Sequence, residues 1–150
     1  MRTIKALTAT LILVALMSHV VTAANQRSQK IDEIDGLFWE GAMARLDNFA
    51  LELNNIPNSI GVIVVYGGQR GRRGEAQAWG KCLTEYIVSQ RGINADRVVL
   101  VNGGYRDSII VELWQSDSKE VIPKSAPTVD PKNVKFRKGK IKRWRSLCNI

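Results

Sequence analysis

Residues 60–66 read Ile-Gly-Val-Ile-Val-Val-Tyr, and this short β-branched run constrains the fold more than any other stretch. It is too short for a good helix and gives way to Gly67-Gly68, so it predicts a strand buried in the middle of a sheet. A buried strand needs covering layers, and the flanking residues supply them. From Glu40 to Asn54 the apolar residues Met43, Leu46, Phe49, Ala50 and Leu53 recur at helical spacing, and Asn54, Asn55 and Pro57 end that helix. A second helix is expected from about Glu75 to Gln90, with Ala76, Trp79, Leu83, Tyr86 and Ile87 on one stripe. Gly92 suits the left-handed cap beyond its end.

Val98–Val101 reads as the next buried strand and Ile109–Trp114 as another, with a turn at Gly103-Gly104 between them. Leu37-Phe38-Trp39 marks a brief first strand. The order β-α-β-α-β-β predicts an α/β fold of the α+β two-layer sandwich kind, a mixed sheet with two helices on one face. Helix-separated strands favour parallel pairing, and the short Gly-Gly connection favours an antiparallel last pair. Around this domain, taken as residues 37–117, the chain divides into an export signal (1–23), a flexible lead-in (24–36), a linker with Pro123, Pro127 and Pro131 (118–131), and a basic tail (132–150).

The export signal is read from Arg2 and Lys5, the apolar run 6–21, and the small-residue site Val21-Thr22-Ala23. This pattern predicts cleavage after Ala23 and delivery to the periplasm or the extracellular space. No later run is long enough to span a bilayer. His19, the only histidine, leaves with the signal. The remainder therefore has no Ser-His-Asp or Cys-His set and no histidine metal site, and no carboxylate pair or activated nucleophile stands out. A non-catalytic protein without cofactor or metal is expected. Cys82 and Cys148 are the only cysteines, and an oxidising compartment favours a bond between them. A buried free thiol at Cys82 is the alternative.

Three phrases then carry a family resemblance: Ala44–Ala50, Gly61–Gly67, and above all Tyr86-Ile-Val-Ser-Gln-Arg-Gly-Ile-Asn-Ala-Asp-Arg-Val98. Over roughly residues 37–114 the chain resembles the OmpA-like domain, in which a helix ends in a similar phrase before the next strand. The resemblance implies a cell-envelope binding module that holds peptidoglycan. In that family an aspartate after the central strand and an arginine early in the next helix grip the diaminopimelate group of the stem peptide. Here the loop 67–74 has no acid before Glu75, and the helix position of the arginine falls at Trp79.

Three segments carry candidate contacts. The loop 67–74 offers Arg70, Arg72 and Arg73 among four glycines, read either as an anion site built on backbone N–H groups and guanidinium forks or as a solvated turn. It lacks a Gly-Lys-Ser/Thr ending and is not a P-loop. Tyr105 and Arg106 follow Gly103-Gly104 and offer a stacking face with a charge, or an ordinary hairpin turn. The net charge of +8 is concentrated in the tail, where residues 132–145 include no acid. Lys135, Arg137, Lys138, Lys140, Lys142, Arg143, Trp144 and Arg145 define a polyanion-binding tail for an anionic envelope polymer or lipid surface, with the domain as scaffold. The opposite reading packs its apolar residues back on the domain. Nucleic acid suits the charge but not the compartment.

Overall fold

The computed structural model describes residues 27–36, 39–139 and 141. Residues 1–26, Leu37, Phe38, Lys140 and residues 142–150 lie outside them, and with these the expected export signal and the tail candidates Lys140, Lys142, Arg143, Trp144, Arg145 and Cys148. The expected α+β two-layer architecture is present. In chain order the elements are β1 (Ser28–Asp35), α1 (Trp39–Asn55), β2 (Ile60–Gly68), α2 (Glu75–Glu85, continuing as a π-turn over Tyr86–Gln90), β3 (Val98–Arg106) and β4 (Ile110–Ser116). The four strands form one mixed sheet in the order β1-β4-β2-β3. β2 pairs parallel with β3 and antiparallel with β4, and β1 pairs antiparallel with β4.

Both helices pack on one face. Leu46, Phe49, Ala50 and Leu53 of α1 and Leu83, Tyr86 and Ile87 of the α2 helix and its π-turn close over Ile34, Ile63, Val65, Val111 and Leu113. Two polar devices fix the helices. Asp47 of α1 accepts from Arg91 and from the Tyr86 hydroxyl (2.8 Å), and the hydrogen bond from Arg91 holds its carboxyl below the usual range. Arg97, in the phrase that carried the family resemblance, donates to the carbonyls of Leu53, Ile56 and Ser59. It supplies a cation at the end of α1, whose last turn has none of its own. Gly92 has φ 69°, as the cap required.

Three expectations are corrected. The stretch read as a flexible lead-in forms β1, and the first strand is Ser28–Asp35 rather than 37–39, since Trp39 opens α1. The first strand was hidden by a bulge: the pairing slips between Lys30 and Asp32, so that Ile31 and Ile34, three apart, both reach the core. The expected β3–β4 hairpin does not form. β4 inserts between β1 and β2, β3 takes the sheet edge, and Gly103 and Gly104 lie inside β3, where Gly103 is the extra residue of a second bulge opposite Val65/Tyr66. Gly103 is needed because a Cβ there would stand 2.6 Å from the Tyr66 ring.

The second face of the sheet carries Ile60, Val62, Val64, Tyr66 and Ile110. The segment after β4, expected to be a linker, is anchored there. The Ala126 N–H donates to the Tyr66 hydroxyl (3.1 Å), and the carbonyl of Ala126 accepts from Arg106 (3.2 Å). The segment then rounds the sheet edge, where Thr128 and Val129 both donate to the Tyr105 carbonyl at 3.0 Å. No helix among the described residues is long and apolar enough to cross a membrane.

Candidate functional site

β2 ends at the Gly- and Arg-rich loop, and the loop is tied down by its own backbone. Gln69 N–H donates to the Arg106 carbonyl (2.8 Å), Gly71 N–H to Gly68 (3.0 Å) and Glu75 N–H to Arg72 (3.1 Å). Arg72 N–H donates to the Glu75 carboxylate at 2.8 Å, and the Arg72 guanidinium sits 3.3 Å from the same group. These bonds favour the alternative reading of the loop as a turn over that of a backbone cradle for an anion. Three of its N–H groups, those of Gln69, Gly71 and Arg72, are used locally, and the carboxylate of Glu75 already stands at the start of α2.

The basic segment docks on the same loop. Lys135 N–H donates to Gln69 O and Arg137 N–H to Gly71 O, both at 2.9 Å, and Arg137 Nε donates to Arg70 O. Phe136 packs edge-on against Tyr105, with ring centres 6.0 Å apart, and Arg73 lies over its other contact surface at 4.7 Å. Ile141 reaches Gly74 at the start of α2. For residues 134–141 the packed-back reading holds. The described residues among them are a strap bound to the domain, and the side chains of Lys135, Arg137 and Lys138 are exposed.

Between loop and strap lies a cleft of about 500 Å³, lined by Gly68, Arg70, Gly71, Glu75, Trp79, Asp107, Ser108, Ile109 and Arg137. A second void, bounded by the loop, Tyr105 and Phe136, measures about 40 Å³ and has room for little more than water. The larger cleft joins residues from β2, α2, the β3–β4 turn and the strap. Sequence reasoning had marked Arg70 and Arg137 but assigned them to separate sites. It missed Asp107 and Ser108 as lining residues, although they directly follow the Gly-Gly-Tyr-Arg motif. Trp79 was placed on the apolar stripe of the second helix and at the position of a lost arginine, not in a binding site.

The other sequence candidates divide. Tyr105 is half-buried between Phe136 and Gly67 and supports the strap. Arg106 does not line the cleft. It lies in a largely buried cluster on the second face, 2.8 Å from Glu112 and stacked on the Tyr66 ring at 3.7 Å. Glu112 also accepts from Tyr66 Oη and Trp114 Nε1, each at 3.1 Å. Burial alone would raise the Glu112 pKa. The hydrogen bonds from Arg106, Trp114 and Tyr66 outweigh that, and the carboxyl titrates below its ordinary value. Burial, the largest influence on Tyr66, pushes its hydroxyl up. Cys82 is fully buried and does not stand as a free thiol.

Among the described residues no group of three or more His, Cys, Asp or Glu is placed to hold a metal ion. Compared with known proteins, the chain matches no protein-family model and no curated sequence.

Proposed function

We propose that the chain is an exported, non-catalytic binding module of the cell envelope, and that it holds a wall component in the cleft between the loop, α2 and the strap. One observation carries the reading: the cleft collects charges of both signs from separate segments, with Asp107, Glu75, Arg70 and Arg137 all among its lining residues. Glu75 is engaged by Arg72, which leaves Asp107 as the acid for a ligand ammonium. Arg70 and Arg137 are the forks for a ligand carboxylate. The resemblance to OmpA-like domains supports peptidoglycan stem peptide as the ligand, although Trp79 stands where the family has its arginine. The charges that the family places in loop and helix would here come from Asp107 and the two arginines.

Co-sedimentation with purified peptidoglycan at high salt tests this. Asp107→Asn and Arg70→Gln are each expected to weaken binding by about tenfold, the worth of one charge-assisted hydrogen bond. Both side chains are exposed, so their loss should leave the melting temperature in place. Unchanged binding in both variants would exclude the cleft. A chain truncated before the strap is a poorer test, because it removes Arg137 and the loop's hydrogen-bond partners together.

A further inference from the structure

The docking of the strap creates a feature that neither segment has alone. Arg70, Arg72 and Arg73 of the loop and Lys135, Arg137 and Lys138 of the strap form one face, and all six are exposed. The backbone bonds at Gln69 and Gly71 hold the two segments in register. Only Arg72 has a carboxylate partner among the described residues, Glu75 at 3.3 Å. Three arginines elsewhere are matched differently: Arg45, Arg91 and Arg106 each meet an acid, Asp32, Asp47 and Glu112. Five cations left without an acid on one face repel one another, and an external anion relieves that repulsion.

The apolar residues of the strap decide between a polymer and a bilayer. Phe136 is occupied by Tyr105 and Arg73, and Val134 and Ile141 are half-buried. The described part of the strap therefore presents charge without an apolar anchor for lipid. We propose that this face binds a linear polyanion bearing phosphate or carboxylate groups, gripped by side chains alone. This proposal stands apart from the cleft, because Arg73, Lys135 and Lys138 do not line it.

Binding of the purified protein to fluorescent polyphosphate, polygalacturonate and neutral dextran across a salt series tests it, with phosphatidylglycerol-containing vesicles as competitor. Both acidic polymers are expected to bind, dextran is not, and affinity should fall steeply as salt rises. The triple variant Arg73→Gln, Lys135→Gln, Lys138→Gln should bind at least about tenfold more weakly near 0.1 M salt. The charge-keeping variant Arg73→Lys, Lys135→Arg, Lys138→Arg should bind like the parent. If the triple variant melts early, the exposed pair Lys135→Gln, Lys138→Gln is used, with a smaller loss expected. Polymer binding at the dextran level, parental binding by the neutralised variants, or vesicles outcompeting both polymers would overturn the proposal. Peptidoglycan binding at high salt should persist in the triple variant, so failure here and failure of the cleft reading are separable.

Discussion

Glu112 shows how single residues hold this fold. Its carboxylate is almost wholly buried, yet Arg106, Tyr66 and Trp114 all donate to it. Removing one partner of a buried pair leaves the other charge stranded, which typically costs about 3–5 kcal/mol. Arg106→Ala is expected to fall in that range by chemical denaturation, and adding Glu112→Gln should restore part of the loss. Because the folded pKa of Glu112 lies below its ordinary value, its contribution is complete above that ordinary value. It is lost as pH falls through the folded pKa. Glu112→Gln should therefore flatten the acid limb of the stability curve. Gly103 is the second sensitive position. The Tyr66 ring beside it is fully buried and tethered at its hydroxyl, so it cannot retreat from a new methyl group. Gly103→Ala should cost about 1–3 kcal/mol in a thermal melt.

At the scale of elements, the strap is the part that local pattern could not reveal. α1, β2 and α2 were legible because each announces itself by periodicity or by a β-branched run, and their ends by Pro57, Gly67 and Gly92. β1 was not, because a bulge breaks its alternation and five of its eight residues are charged or amide-bearing. The last two strands were found, but the glycines that suggested a hairpin serve a bulge and a close ring contact instead. The strap's pairing with Gln69 and Gly71 joins residues more than sixty apart in sequence, and no local signal encodes that. The same reason split the candidate site: its residues were visible singly, while their meeting was not. Hydrogen exchange provides a test at this scale. The amides of Lys135 and Arg137 should be protected, unlike those of a free tail, and Phe136→Ala should remove the protection while leaving β2 amides slow.

The strap also sets the terms for the cysteines. Ile141 reaches the first turn of α2 at Gly74, and Cys82 lies about two turns further along that helix. Seven further residues can span that distance easily, so a Cys82–Cys148 bond would clamp the strap onto the domain. We expect the oxidised protein to resist thiol alkylation until reduced, and reduction or Cys148→Ser to lower stability by up to about 4 kcal/mol. Alkylation of native unreduced protein at both cysteines would rule the clamp out.

Across the whole molecule, charge and shape are sorted by location. Acids and arginines pair at the helix junction and on the second face, while unpaired cations collect where β2 ends and the strap returns. That end also holds the cleft of about 500 Å³. The central claim is that this cleft receives a ligand with both a positive and a negative group. Amide chemical-shift mapping during titration with a soluble muropeptide addresses it most directly. Saturable shifts at Gly68–Gly71, the Trp79 indole and Asp107–Ile109, reduced by Asp107→Asn, are expected. Shifts confined to Lys135, Lys138 and the exposed loop arginines and abolished by salt, or no shifts at all, would contradict it.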